Sequence, residues 1–176
     1  MTATSRKLIV KPRKTKPKKS RLTEVNSFGS NPGNLRMLTY VPPLLPARAP
    51  LVVVLHGCLQ TARDYDEGSG WSLLAKRHGF LLVYAEQSRA NNPNHCFNWF
   101  QPHDARRGSG EALSIRQMVT RMRRTHSIDP ARIFITGLSA GGAMASVMLA
   151  TYPEVFAGAG SSPDCPLAPR PAYAMS

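Results

Sequence analysis

Residues 135–145 read ITGLSAGGAMA, and the fold is decided by how this stretch is read. One serine, Ser139, has a glycine two positions to either side, Gly137 and Gly141, with Gly142 after the second. The run Ile133-Phe134-Ile135 leads in, and a run rich in alanine and methionine leads out. This is the pattern of a buried strand that turns sharply into a helix. At such a bend the central residue adopts a strained backbone, and side chains two positions away would collide across it. Glycine removes both obstructions and leaves the Ser139 hydroxyl exposed at the end of the sheet. The Ala140 N–H then opens a helix, whose positive end favours the negative charge of a tetrahedral intermediate. G-x-S-x-G alone is a weak signal, and a turn with a capping serine is the alternative. The strand before it and the helix after it are the context that gives it meaning.

The surrounding chain reads as strands alternating with helices. Leu51-Val-Val-Val-Leu55 and Phe80-Leu-Leu-Val-Tyr84 are continuous apolar runs, the mark of strands covered on both faces. Arg36 to Val41 and Arg132 to Thr136 read as further strands, and Val155 to Ala159 as the start of another. Trp71 to His78 reads as a helix stopped by Gly79. Glu111 to His126 is amphipathic: Ile115, Met118, Val119 and Met122 share one face and arginines occupy the rest. Ala143 to Tyr152 is apolar nearly all round, which predicts a buried helix ended by Pro153. Residues 85–110 form a long Asn-, Pro- and Gly-containing loop, long enough to predict a functional role. Together these elements define an α/β fold with a mostly parallel sheet and flanking helices.

The chain has 176 residues and a formal charge of +13. Nine of its 23 Lys and Arg lie in residues 1–21, and no acid precedes Glu24. Repelling lysines, with Pro12 and Pro17 against helix, predict a disordered basic arm over 1–21. Such an arm is either a solvated tail or a weak contact for a polyanion. Leu8-Ile9-Val10 is too short an apolar run for a secretory signal. The uncharged run 133–153 holds three glycines, two serines and two threonines, so no membrane span is predicted. The body is expected over 22–160, followed by an irregular proline-rich tail over 161–176. Cys58, Cys96 and Cys165 have no metal-ligand spacing, so no metal is expected. Free thiols in a reducing compartment and one disulfide with a thiol left over both remain open.

A second piece belongs with the serine. His56-Gly57-Cys58 directly follows the Leu51–Leu55 strand, and the loop after that strand supplies a second oxyanion donor in this architecture. The reading assigns that donor to the Cys58 N–H. His56, too near the strand end for a base, is expected to hold the loop by hydrogen bonding.

At this point the chain resembles the polyhydroxybutyrate depolymerase family of esterases, among the α/β-hydrolases and related to feruloyl and acetylxylan esterases. The resemblance rests on LHGCLQTA (55–62), WSLLAKRHGFLLVYAEQ (71–87), CFNWF (96–100), RRGSGE (106–111), DPARIFITGLSAGGAMA (129–145) and TYPEVFAG (151–158). It runs from about Leu22 to about Gly160. It implies ester hydrolysis through an acyl-serine intermediate, without metal or organic cofactor, on polyhydroxyalkanoates or acylated polysaccharides. It implies an extracellular enzyme, whereas the missing signal leaves the cytoplasm as the alternative. It suggests that Trp99 lines the acyl groove or, equally, braces the loop from inside. It puts Cys58 and Cys96 on loops at the same end of the sheet, where a disulfide can join them. Asp104, Arg106, Arg107 and Glu111 are expected to form a charge network outside the catalytic step.

The family's catalytic order is serine, then acid, then histidine. All five histidines, His56, His78, His95, His103 and His126, precede Ser139, and only Glu154 and Asp164 follow as acids. The expectation is a fold incomplete at its C-terminal side, with weak or absent turnover and one sheet face left uncovered. Two further readings stand beside the esterase: a non-catalytic scaffold holding polyanions through the arm, and an acyltransferase using Ser139.

Overall fold

The computed structural model describes residues 20–161. The expected arm falls outside them except for Ser20 and Arg21, and the expected tail except for Ser161. Six strands form one sheet: β1 (Thr23–Val25), β2 (Arg36–Tyr40), β3 (Ala49–Leu55), β4 (Leu81–Glu86), β5 (Ile128–Gly137) and β6 (Gly158–Ser161), in the order β1-β2-β4-β3-β5-β6. β1 and β2 run antiparallel, and β4, β3, β5 and β6 are parallel. Five helices connect them: α1 (Ala62–Ser69), α2 (Trp71–His78), α3 (Pro102–Ala105), α4 (Gly110–Thr125) and α5 (Ala140–Thr151). The sheet is therefore mixed, with a parallel core and an antiparallel edge.

The strands at the centre form because their residues can be buried on both faces. Every residue of β4 is buried, as are Leu51 to Leu55 of β3. On one face Leu51, Val53, Leu81, Val83, Ile133 and Ile135 meet Ile115, Met118, Val119 and Met122 of α4 and Met144 and Met148 of α5. The methionines of both helices are core filling. On the other face Leu38, Val52, Val54, Leu82 and Tyr84 meet Ala62 of α1 and Ala75 of α2. That second cover runs out toward β5. In the row Leu82–Val52–Phe134, exposure rises from nil to 9% and then to 38%.

Several boundaries differ from the sequence reading for identifiable reasons. β1 pairs with β2 although two of its three residues are exposed, so its sequence carries little signal. α1 is mostly polar outside; its start is set by the Thr61–Asp64 capping box, with Glu86 accepting the Ala62 N–H at 2.7 Å. The last strand begins at Gly158 rather than Val155, because Val155 is used in the turn that leaves α5. α5 is half-exposed along Ala143, Val147, Leu149 and Ala150, not buried all round. α2 ends in Gly79 as the sequence predicts, with Gly79 at φ 69° donating to the Ala75 carbonyl.

Candidate active site

Ser139 sits between β5 and α5 with φ 51° and ψ −118°, a backbone that a residue with a side chain rarely adopts. It is exposed, while Gly137, Ala140 and Gly141 around it are buried. A Cβ on Gly137 would lie within 3.0 Å of the Gly141 carbonyl and the Gly142 nitrogen, so the first glycine lets the bend close on itself. The second glycine answers a different neighbour. A Cβ on Gly141 would lie within 3.0 Å of the Leu55 and His56 carbonyl oxygens, at the end of β3. The helix start is thus pressed against the adjacent strand. The Leu138 N–H donates to the Leu55 carbonyl at 3.1 Å across the same seam.

That seam brings the loop after β3 to the elbow. Gly57 packs over the Leu138 side chain. In the loop, the Gly57 N–H donates to Gln60 Oε1 at 2.9 Å, and the Leu59 N–H to the Asn94 carbonyl at 2.8 Å. The Cys58 N–H between them donates to no protein acceptor among the described residues. Nor does the Ala140 N–H, the first of α5.

His56 is buried with both ring nitrogens engaged. Nδ1 lies 2.7 Å from the Gly57 carbonyl, and Nε2 accepts the Gln87 N–H at 3.0 Å. The accepting Nε2 fixes the proton on Nδ1, so the ring is neutral and donates to Gly57. Burial also lowers its pKa from the ordinary histidine value. Its ring packs against Phe97, centroids 5.0 Å apart. His56 therefore ties the loop after β3 to the end of β4. Three other histidines have partners elsewhere, His95 Nε2 accepting from Arg89, His126 meeting Thr125 and His103 lying beside Asp104, and His78 is the last residue of α2.

The long loop folds back over this end of the sheet. Cys58 and Cys96 are joined by a disulfide, with Cα atoms 4.3 Å apart. Gln87 Nε2 donates to Glu111 Oε1 at 2.5 Å and to the Cys96 carbonyl at 3.1 Å. The Asn98 N–H donates to Glu111 Oε2 at 2.9 Å. Asn91 Nδ2 donates to Gln87 Oε1 and to the Gly33 carbonyl, both at 2.8 Å. Glu111 is 1% exposed, and burial pushes its carboxyl up to about 7 against the opposing pull of Gln87 and Asn98. Gln87, Asn91, Asn98 and Glu111 had no role in the sequence reading as loop-holders. The clustered amides Asn91, Asn92, Asn94 and Asn98 were the available signal.

The loop presents aromatic surface. Trp99 is 43% exposed and meets Phe100 edge to face at 5.8 Å, so it is no internal brace. Leu59 and Phe100 are also exposed, a pair the sequence reading passed over. The expected charge network splits into separate pieces. Arg107 binds Glu154 at 2.6 Å and stacks over Tyr152, Arg106 donates to Ser109, and Asp104 accepts the Glu111 N–H. Glu111 itself has amide partners rather than an arginine because it lies inside. Among the described residues no three His, Cys, Asp or Glu side chains come together as a metal site, and no helix is long and apolar enough to cross a membrane.

A mixed sheet in this order, with a strained serine between a parallel strand and its helix, defines a protein of the α/β-hydrolase type. The comparisons agree and narrow it. Residues 35–165 match the family model described as Esterase PHB depolymerase, and the chain belongs to that family. It is 62% identical over 138 residues to poly(3-hydroxyalkanoate) depolymerase C of Paucimonas lemoignei, covering 78% of this chain and 33% of that protein. It is 37% identical over 144 residues to acetylxylan esterase A of Aspergillus oryzae, covering 80% of this chain and 45% of that one. Among solved structures, acetyl xylan esterase from Aspergillus awamori matches with TM-score 0.72 and 35% identity, over 78% of this chain and 50% of that one. The chain thus spans a third to a half of the length of these relatives.

Proposed function

We propose that this chain carries the nucleophile and oxyanion donors of a carboxylic ester hydrolase. The observation that carries the reading is Ser139 at φ 51°, at a strand-to-helix bend pressed against the loop that holds Cys58. In the proposed reaction Ser139 Oγ bonds to the ester carbonyl carbon and gives its proton to a base. The carbonyl oxygen takes the electron pair, held by the Cys58 and Ala140 N–H groups. Collapse expels the alcohol with that proton and leaves an acyl-serine, which water then hydrolyses.

Histidine is the expected base, and no histidine follows Ser139 in residues 140–176. His56 is engaged on both nitrogens and does not substitute for it. Residues 1–176 on their own are therefore expected to turn over slowly. Losing the histidine costs a serine hydrolase about a million-fold, while the oxyanion donors and binding leave about a thousandfold over water.

The substrate class follows from the relatives' names and the exposed Trp99, Phe100 and Leu59: hydroxyalkanoate polyesters first, acylated polysaccharides second. The Cys58–Cys96 disulfide favours an oxidising, extracytoplasmic location. The arm's contact with polyanions remains part of the proposal. Hydrolysis of p-nitrophenyl butyrate by the chain and by Ser139→Ala tests the reading. A small turnover lost in the variant is expected; equal turnover in both would overturn it.

A further inference from the structure

The outer face of α4 carries chemistry that ester cleavage does not use. Arg116, Thr120, Arg123 and Arg124 fall at i, i+4, i+7 and i+8, on one stripe of the helix about 12 Å long. They line a depression of about 280 Å³. Arg116 donates to the Thr120 hydroxyl, which fixes one wall. Arg123 and Arg124 are exposed and form no ion pair among the described residues. Glu154, whose charge reaches Arg116, is already paired with Arg107.

Three guanidinium groups around one small depression present more positive charge than one carboxylate balances. Guanidinium forks match phosphate oxygens in pairs. The ligand must bring several negative charges into a space of this size. The stripe offers no exposed aromatic ring for stacking a base, since the apolar residues Ile115, Met118, Val119 and Met122 all face the core. For the same reason it has no apolar wedge for a lipid surface. We propose that this depression binds a condensed phosphate chain through Arg116, Arg123 and Arg124, with Thr120 as a neutral partner. The site lies on α4, a helix that carries none of the residues proposed for ester cleavage.

The test is titration of sodium tripolyphosphate into the full chain at low salt, followed by calorimetry. The basic arm contributes the same background in every sample, so the site is read from the binding component that differs between variants. Arg123→Glu/Arg124→Glu should weaken binding at least tenfold, while Lys76→Glu/Arg77→Glu, the same charge change on α2, leaves it within twofold. Arg123→Lys/Arg124→Lys should fall between them. Equal losses in both charge-reversed variants, or none in either, would overturn the site. So would a 20-base-pair DNA duplex that binds more tightly than tripolyphosphate and loses as much on the α4 substitutions. Far-ultraviolet circular dichroism checks that each variant is folded.

Discussion

The serine elbow and the loop over it are held in opposite ways. At the elbow the restraint is steric and backbone-to-backbone: Gly137 and Gly141 have no room for a Cβ, and Leu138 bonds directly to β3. In the loop the restraint comes from side chains distant in sequence: a disulfide spanning 38 residues, and the Gln87–Glu111–Asn98 amide cluster. A backbone restraint is written in a few adjacent letters. A side-chain restraint is spread along the chain and shows only once the fold has assembled it. The first fixes where Ser139 stands; the second fixes what surrounds it.

Breaking the disulfide should have the largest effect on that contrast. On the chain-entropy account, closing this loop is worth at most about 4 kcal/mol. Cys58→Ser/Cys96→Ser should lower Tm by about 10 °C and make the Trp99 fluorescence more solvent-like. A loop held mainly by its amides would instead lose only a degree or two.

Substitution at the elbow should come next. Gly141→Ala puts a methyl group against two backbone carbonyls that cannot move aside, and a cost of about 3 kcal/mol is expected. Thermal melts would show it, with little change in Trp99 exposure because the loop is fixed separately. A neutral Gly141→Ala would mean that the helix start is not pressed against β3.

The amide cluster supplies a pH signature that the elbow lacks. Glu111 has a folded pKa of about 7, above its unfolded value. Its contribution is therefore full below about pH 4.5 and is lost as pH rises through about 7, on the order of 3 kcal/mol. Glu111→Gln should flatten Tm against pH across that window relative to the parent chain. An unchanged slope would place the carboxyl in water. Smallest of all, Glu154→Gln at the exposed Arg107 pair should leave Tm almost unchanged, because solvent screens both charges.

The same contrast explains what was legible in the sequence. β3 and β4 could be read because strands covered on both faces need unbroken apolar runs, and α4 because its apolar positions recur on one face. The elbow could be read because steric exclusion demands glycine at fixed spacing. β1 was missed because exposed edge residues obey no pattern. α1 was missed because its buried positions include Asp66, which accepts from Ser72 and Tyr84 across the fold. A buried carboxylate looks like a surface one until its partners are known. Glu111 was misread for the same reason, as one of several neighbouring charges rather than the centre of an amide cluster.

The central claim is that Ser139 is a nucleophile held beside two backbone donors. Treatment with a fluorophosphonate probe, followed by peptide mass spectrometry, addresses it most directly. The account predicts slow, saturable phosphonylation of the peptide containing Ser139, abolished by Ser139→Ala and slowed by loss of the Cys58–Cys96 bridge. Modification of a different residue, or labelling that persists unchanged in Ser139→Ala, would contradict it.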